Sequence, residues 1–116
     1  MPIEPGQIYL ALLEGPGRRP VTIVSRAELN RGNRVVAVPL TSRRLADRRH
    51  LPNCVPFRSG QFGLDRECVA QAEAIGQVRV DELDLETGSI GVLDSETHRS
   101  LIRAIAYVLG AEFESV

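Results

Sequence analysis

The chain has 116 residues, of which 43% are hydrophobic and 25% charged, and its formal net charge is −1. This length and composition indicate one globular domain over residues 1–116 and argue against wholesale disorder. No arginine precedes Arg18, and Arg103 interrupts the apolar stretch near the C-terminus, so we expect neither a signal peptide nor a membrane span and place the protein in the cytoplasm.

The charges are unevenly distributed along the chain. Residues 1–58 contain ten arginines and four acids, whereas residues 59–116 contain four arginines and eleven acids. This asymmetry favours a basic face that binds a polyanion. All basic residues apart from the two histidines are arginines, whose planar guanidinium suits phosphate, although the bias is equally explained by the base composition of the genome.

Three strands are predicted in the first half of the chain. They cover 7–12, 20–25 and 34–42, and the continuous apolar run of the third suggests burial on both faces. Because proline has no N–H to donate, Pro20 indicates that the second strand either begins at this residue or lies at an edge of the sheet. Ser25 and Glu28 have capping-box spacing, which predicts one short helical turn between the second and third strands.

The second half adds shorter strands and a closing helix. We expect a mobile loop over 43–53, strands over 54–57 and 67–75, and a short strand over 88–92. A helix capped by Asp94 or Ser95 follows, with Leu101, Ile105 and Val108 or Leu109 on its apolar face, and it ends at Gly110. The expected fold is mainly β, a small barrel with one C-terminal helix.

The sequence lacks the residue patterns that several kinds of chemistry require. The sequence has no Gly-rich phosphate loop and no metal-binding spacing of histidines and cysteines, so no metal or other cofactor is predicted. Cys54 and Cys68 are expected to stay reduced in a cytoplasmic protein. His50 lies in a loop and His98 on a polar helix face, which makes a two-histidine mechanism improbable.

Arginines and hydroxyls remain as candidate ligands for a phosphodiester. Arg18 and Arg19 precede the second strand, and Thr41 and Ser42 end the third. If these strands are neighbours, Arg19 and Thr41 meet at one rim and offer a charged donor and a hydroxyl to phosphate. Taken singly, each of these residues also fits an ordinary solvent-exposed position.

The order of the motifs resembles one known family. "GQIYLA", "GRRPVTIVS", "VVAVPLTS", "FGLDRECVAQAEAI" and the closing helix, over about residues 5–110, resemble the MazF/PemK toxins of bacterial toxin–antitoxin systems. The resemblance implies a homodimer of SH3-like barrels that cleaves single-stranded RNA at short sequences without a metal. It also implies a cognate antitoxin, whose acidic, disordered tail we expect to compete with RNA for the arginines.

The resemblance assigns catalysis to Arg19 and Thr41, with Glu73 contributing from a fifth strand. Arg19 is expected to stabilise the charge on the phosphoryl group, Thr41 to donate to a non-bridging oxygen, and Glu73 to accept the 2′-proton. The products would carry a 2′,3′-cyclic phosphate and a 5′-hydroxyl. The residues predicted to bind RNA are Arg18, Ser42, Arg43, Arg44 and Gln71.

Two departures from the family pattern leave alternatives open. Ala74-Ile75-Gly76 stands where the family commonly has Gln-Ile-Arg, and Glu14 is only a loose counterpart of an acidic segment in longer members. A non-catalytic nucleic-acid-binding barrel therefore stays possible. A gyrase poison of the CcdB type is disfavoured, because the chain has no tryptophan and ends in "AEFESV".

Overall fold

A computed structural model describes residues 2–12 and 17–111. These residues form seven strands, two α-helices and several 3-10 turns. The strands are β1 (Gln7–Ala11), β2 (Arg19–Ile23), β3 (Arg34–Thr41), β4 (Cys54–Phe57), β5 (Cys68–Gln71), β6 (Gly76–Arg79) and β7 (Gly91–Val92), and the helices are α1 (Leu45–Arg48) and α2 (Ser95–Val108).

The strands make one curled antiparallel sheet in the order β4-β5-β3-β2-β1-β7. β3 is its centre: one edge pairs with β2, and the other pairs first with β6 and then with β5. Because one strand has two successive partners on the same edge, the sheet curls into a half-barrel. The prediction of a mainly β fold with a C-terminal helix is confirmed.

The core lies on both faces of β3. Val35 and Ala37 belong to one buried cluster, while Val38 and Leu40 belong to another that packs against α2. Since successive side chains of a strand point to opposite faces, the two halves of β3 bury opposite faces. This accounts for the continuous apolar run of the sequence.

Helix α2 closes the second cluster. The Asp94 carboxylate accepts a hydrogen bond from the Thr97 N–H at 2.7 Å, which confirms Asp94 as the N-cap. Leu101 is fully buried, and Ile105 and Val108 pack against the same cluster. Gly110, with φ of +74°, follows the helix in the left-handed conformation that commonly ends one.

Two local predictions in the first half of the chain are wrong. Ser25 is not a helix cap: its hydroxyl donates to Asn30 Oδ1 at 2.5 Å and accepts from the Val36 N–H at 2.9 Å. The short turn is a 3-10 helix over Leu29–Arg31, bounded by this buried polar contact. The segment 43–53, expected to be a loop, contains helix α1.

The predicted long strand over 67–75 is also wrong, because β5 ends at Gln71. The Ala72 N–H still donates to the Asn53 carbonyl in the β4–β5 register, but Ala72–Ala74 then forms a 3-10 turn in which the Ala72 carbonyl accepts the Ile75 N–H, so the chain leaves the ladder there. Alanine has low strand propensity, which favours the turn. β6 follows and was missed, since Val78 is its only buried residue.

Candidate nucleic-acid interface

A cleft of about 580 Å³ opens at the end of the sheet where β2 begins and β3 ends. Its lining comprises Leu10, Arg18, Arg19, Pro20, Leu40, Thr41, Ser42, Arg43, Gly63, Leu64, Asp65, Arg66, Cys68 and Ile90. It combines four guanidinium groups with two hydroxyls, and Asp65 is its one carboxylate within the described ranges. This composition suits an anion that also accepts hydrogen bonds.

Strand register brings Arg19 and Thr41 to the same rim. Val21 of β2 pairs with Pro39 of β3, and continuing this antiparallel register by two residues sets Arg19 opposite Thr41. Residues opposed in this way point to the same face of a sheet, with their strands about 5 Å apart. The sequence-based expectation that these two residues meet is therefore supported by the register and by their shared cleft.

The Thr41 hydroxyl already accepts one hydrogen bond from within the protein. Its Oγ1 accepts the Arg43 N–H at 3.2 Å, because the chain turns sharply after β3. A hydroxyl that accepts one bond still has its own hydrogen to donate. Thr41 is half-buried, so this hydrogen can reach a ligand in the cleft while the backbone of Arg43 holds the oxygen in place.

The two adjacent arginines have different surroundings. Arg18 forms an ion pair with Asp84, whereas Arg19 forms none within residues 2–12 and 17–111. Hydrogen bonds from the hydroxyl and the N–H of Thr87, together with the Arg18 charge, hold the pKa of the Asp84 carboxyl below its usual value. Arg19 is half-buried and keeps an uncompensated charge in the cleft.

Cys68 lines the cleft but is not a nucleophile. Its side chain is 3% exposed, and burial, with the nearby charges of Asp65 and Glu67, raises the pKa of its thiol to about 11. The thiol is therefore protonated at neutral pH, and only the thiolate attacks.

The structure separates two predicted site residues from the others. Glu73 lies on the 3-10 turn and not on β5, and its carboxylate accepts hydrogen bonds from Asn53 Nδ2 at 2.7 Å and Gln71 Nε2 at 3.0 Å. Val69 of β5 pairs with Thr41, so Gln71 lies two residues, about 7 Å, away from the cleft end of the strand. Neither Gln71 nor Glu73 lines the cleft.

Of the other residues predicted to bind RNA, three line the cleft and one does not. Arg18, Ser42 and Arg43 line the cleft with Arg19 and Thr41. Arg44 does not: it takes a left-handed conformation (φ +55°) before α1 and pairs with Asp47 at 3.3 Å. Glu14 lies outside the described residues.

Sequence reasoning missed the wall formed by Asp65 and Arg66. This loop is held against the segment before β7 by two glycines, since a Cβ on Gly63 would collide with the Ile90 carbonyl and one on Gly91 with the Phe62 carbonyl. The only signal in the sequence was the adjacent acidic and basic residues directly after "FGL". The close approach of the two loops, which the sequence does not show, brings these residues to the cleft.

The comparisons with known proteins identify the family of the chain. Residues 4–109 match the model of a family described as the PemK-like, MazF-like toxin of type II toxin–antitoxin systems. The chain belongs to this family. No curated protein matches it.

Solved structures of similar fold cover almost the whole chain. A mycobacterial endoribonuclease, solved in complex with its cognate antitoxin, is 29% identical with a TM-score of 0.76, over 97% of this chain and 99% of that one. The Mycobacterium tuberculosis toxin MazF-mt6 is 24% identical (TM-score 0.76, 92% and 99%), and MazF in a MazE–MazF structure from Deinococcus radiodurans is 18% identical (0.75, 97% and 99%). The last two likenesses show the fold alone.

Two features are absent from the described residues. None of their helices is long and apolar enough to cross a membrane. They also contain no group of three or more His, Cys, Asp or Glu side chains placed to hold a metal ion.

Proposed function

We propose that this toxin is a sequence-specific endoribonuclease that cleaves single-stranded RNA in the cytoplasm by attack of the ribose 2′-hydroxyl. One feature carries the proposal: the β2–β3 register, continued two residues past Val21 and Pro39, sets Arg19 opposite Thr41, and both line a cleft whose described lining has four arginines and one carboxylate. RNA supplies both the phosphate for these donors and its own nucleophile, so the chemistry needs no metal-bound water.

The reaction forms one bond and breaks another at phosphorus. The 2′-oxygen bonds to phosphorus, the bond to the 5′-oxygen breaks, one proton leaves the 2′-hydroxyl and one reaches the departing oxygen. Arg19 stays cationic at all relevant pH values and stabilises the charge that grows on the phosphoryl oxygens. Thr41 donates its hydroxyl hydrogen to a non-bridging oxygen. The ends are a 2′,3′-cyclic phosphate and a 5′-hydroxyl.

We assign the 2′-proton to the Asp65 carboxylate. A general base has to lie within hydrogen-bond reach of the proton it takes, and Asp65 is the carboxylate that lines the cleft in the described part of the chain. The sequence-based hypothesis assigned this role to Glu73, whose carboxylate is engaged by two amide groups away from the cleft.

The proposal includes two partners, a second copy of the toxin and an antitoxin. One of the similar structures is an endoribonuclease bound to its cognate antitoxin, which supports a complex of that kind here. An acidic, disordered tail has the charge to enter a cleft rich in arginine and to exclude RNA from it. A tail peptide should then inhibit cleavage competitively with RNA.

The direct test is incubation of the purified protein with a mixed RNA in excess EDTA, followed by mapping of the ends. We expect cuts at a short recurring sequence, with 2′,3′-cyclic phosphate and 5′-hydroxyl ends. Cleavage that requires added Mg²⁺ would contradict the mechanism. RNA binding without cleavage would instead identify a non-catalytic nucleic-acid-binding barrel.

A further inference from the structure

Asp84 does not line the cleft but binds Arg18, which does, and it is unusually well held for a carboxylate near a protein surface. Its side chain is 9% exposed and accepts three hydrogen bonds. Thr87 supplies two of them, from its N–H at 3.1 Å and its hydroxyl at 2.7 Å, and Arg18 supplies the third through Nη1. These three hydrogen bonds hold the Asp84 carboxylate in a single orientation.

The backbone of Asp84 is fixed against the strand that also supports the arginines. Its N–H donates to the Leu10 carbonyl at 2.8 Å, and the Leu12 N–H donates to the Glu82 carbonyl at 3.0 Å. Ala11 of β1 pairs with Arg19 of β2 on one side and bridges to Leu83 on the other. The carboxylate and the arginine pair therefore share β1 as a common support.

This contact leaves most of the Arg18 guanidinium available. Asp84 engages one nitrogen, while a guanidinium has five N–H donors in a rigid plane. The Arg18 side chain is 55% exposed and lines the cleft beside Arg19. Holding one end of the plane restricts the directions of the remaining donors, which lowers the ordering cost of meeting a phosphate.

We propose that Asp84 is a positioning residue for the cleavage reaction, orienting Arg18 so that Arg18 and Arg19 together hold the reacting phosphate. The inference rests on the proposed ribonuclease function. Asp84 itself touches no RNA and acts only through Arg18.

A merely structural ion pair has different consequences. It would change the stability of the protein and leave turnover per folded molecule unaltered. A positioning carboxylate also neutralises part of the Arg18 charge, so its removal makes the cleft more cationic while the arginine becomes less ordered. Binding and turnover should then respond in opposite directions, which a structural role does not produce.

The test compares Asp84→Asn with the parent protein on a short RNA that contains the mapped cleavage site. Asparagine keeps the size of the side chain and an acceptor for Thr87 but loses the charge. We expect kcat to fall about tenfold, as misplacement of a phosphate ligand does. KM should not rise, because loss of the carboxylate leaves the Arg18 charge unopposed at the phosphate.

Two matched variants complete the experiment. Asp47→Asn removes the carboxylate from the exposed Arg44–Asp47 pair outside the cleft and should leave kcat unchanged. Thr87→Val keeps the Asp84 charge but removes the hydroxyl that orients it, and it should lower kcat by a smaller factor. Thermal unfolding of each variant confirms that the measured protein is folded.

A double substitution decides whether Asp84 acts through Arg18. If it does, Arg18→Ala with Asp84→Asn should have the kcat of Arg18→Ala alone. The inference would be overturned if the two substitutions multiplied their separate effects on kcat in the double variant, or if Asp84→Asn had the same kcat as Asp47→Asn. The ribonuclease assignment would stand in either case. An inactive parent protein that binds RNA would overturn both.

Discussion

Polar side chains gather both at the cleft end of the sheet and at the 3-10 turn after β5, but their bonding is opposite in kind. At the cleft end, Arg19 has no ion-pair partner in the described ranges, and the Thr41 hydroxyl keeps a hydrogen to donate. At the 3-10 turn, Glu73 accepts bonds from the side chains of Asn53 and Gln71. Polar groups that satisfy one another hold a turn together, whereas donors left open at a rim are available to a ligand.

The largest expected effect comes from Arg19→Ala. Loss of a charge-stabilising donor at the reacting phosphate should lower kcat/KM at least 10²-fold. Arg34→Ala is the matched control, since Arg34 is exposed at the opposite end of β3. RNA cleavage is measured by gel in excess EDTA. Equal RNA cleavage by Arg19→Ala and Arg34→Ala would show that the arginine at the cleft end of the sheet has no special role in the reaction.

The second effect separates the two carboxylates. Asp65→Asn should lower kcat about 10²-fold, as loss of a general base does. Glu73→Gln should keep the rate of the parent, because Glu73 is bonded away from the cleft. The reverse result would restore Glu73 as the base, as the family resemblance implied.

Thr41→Ala should have a smaller effect, about tenfold in kcat, because a neutral donor is lost at a position that Arg19 still serves. Thr41→Ser keeps the hydroxyl and should retain most of the activity. Steady-state kinetics with one short RNA gives both values. A serine variant as slow as the alanine variant would show that the methyl group, and not the hydroxyl, matters at this position.

The smallest effect concerns the two arginines after β3. Arg43 lines the cleft, whereas Arg44 pairs with Asp47 beyond it. Arg43→Ala should reduce the slope of log Kd against log salt by about 0.7, with cleavage-site preference unchanged. Arg44→Ala should leave the slope as it is. A slope for Arg43→Ala equal to that of the parent, measured with single-stranded RNA, would mean that this loop does not follow the RNA backbone.

Only part of the candidate site could be predicted from the sequence. The meeting of Arg19 and Thr41 follows from two strands joined by a short connection, which usually pair antiparallel. The place of Glu73 could not be predicted, because the alternation from Val69 to Glu73 is typical of a strand that in fact stops at Gln71. Asp65 reaches the cleft, and Asp84 reaches Arg18 beside it, from loops whose positions depend on distant backbone contacts.

The sequence by itself determined the mainly β architecture, the closing helix with its cap at Asp94 or Ser95 and the arginine-rich entrance to β2. These follow from local propensity and hydrophobic periodicity, which act between residues close in the chain. The tertiary structure alone decided which polar groups face the cleft and which engage one another. Asp84 is 66 residues from Arg18, and Glu73 is 20 from Asn53. Contacts over such separations depend on how the sheet curls, and no local pattern encodes that.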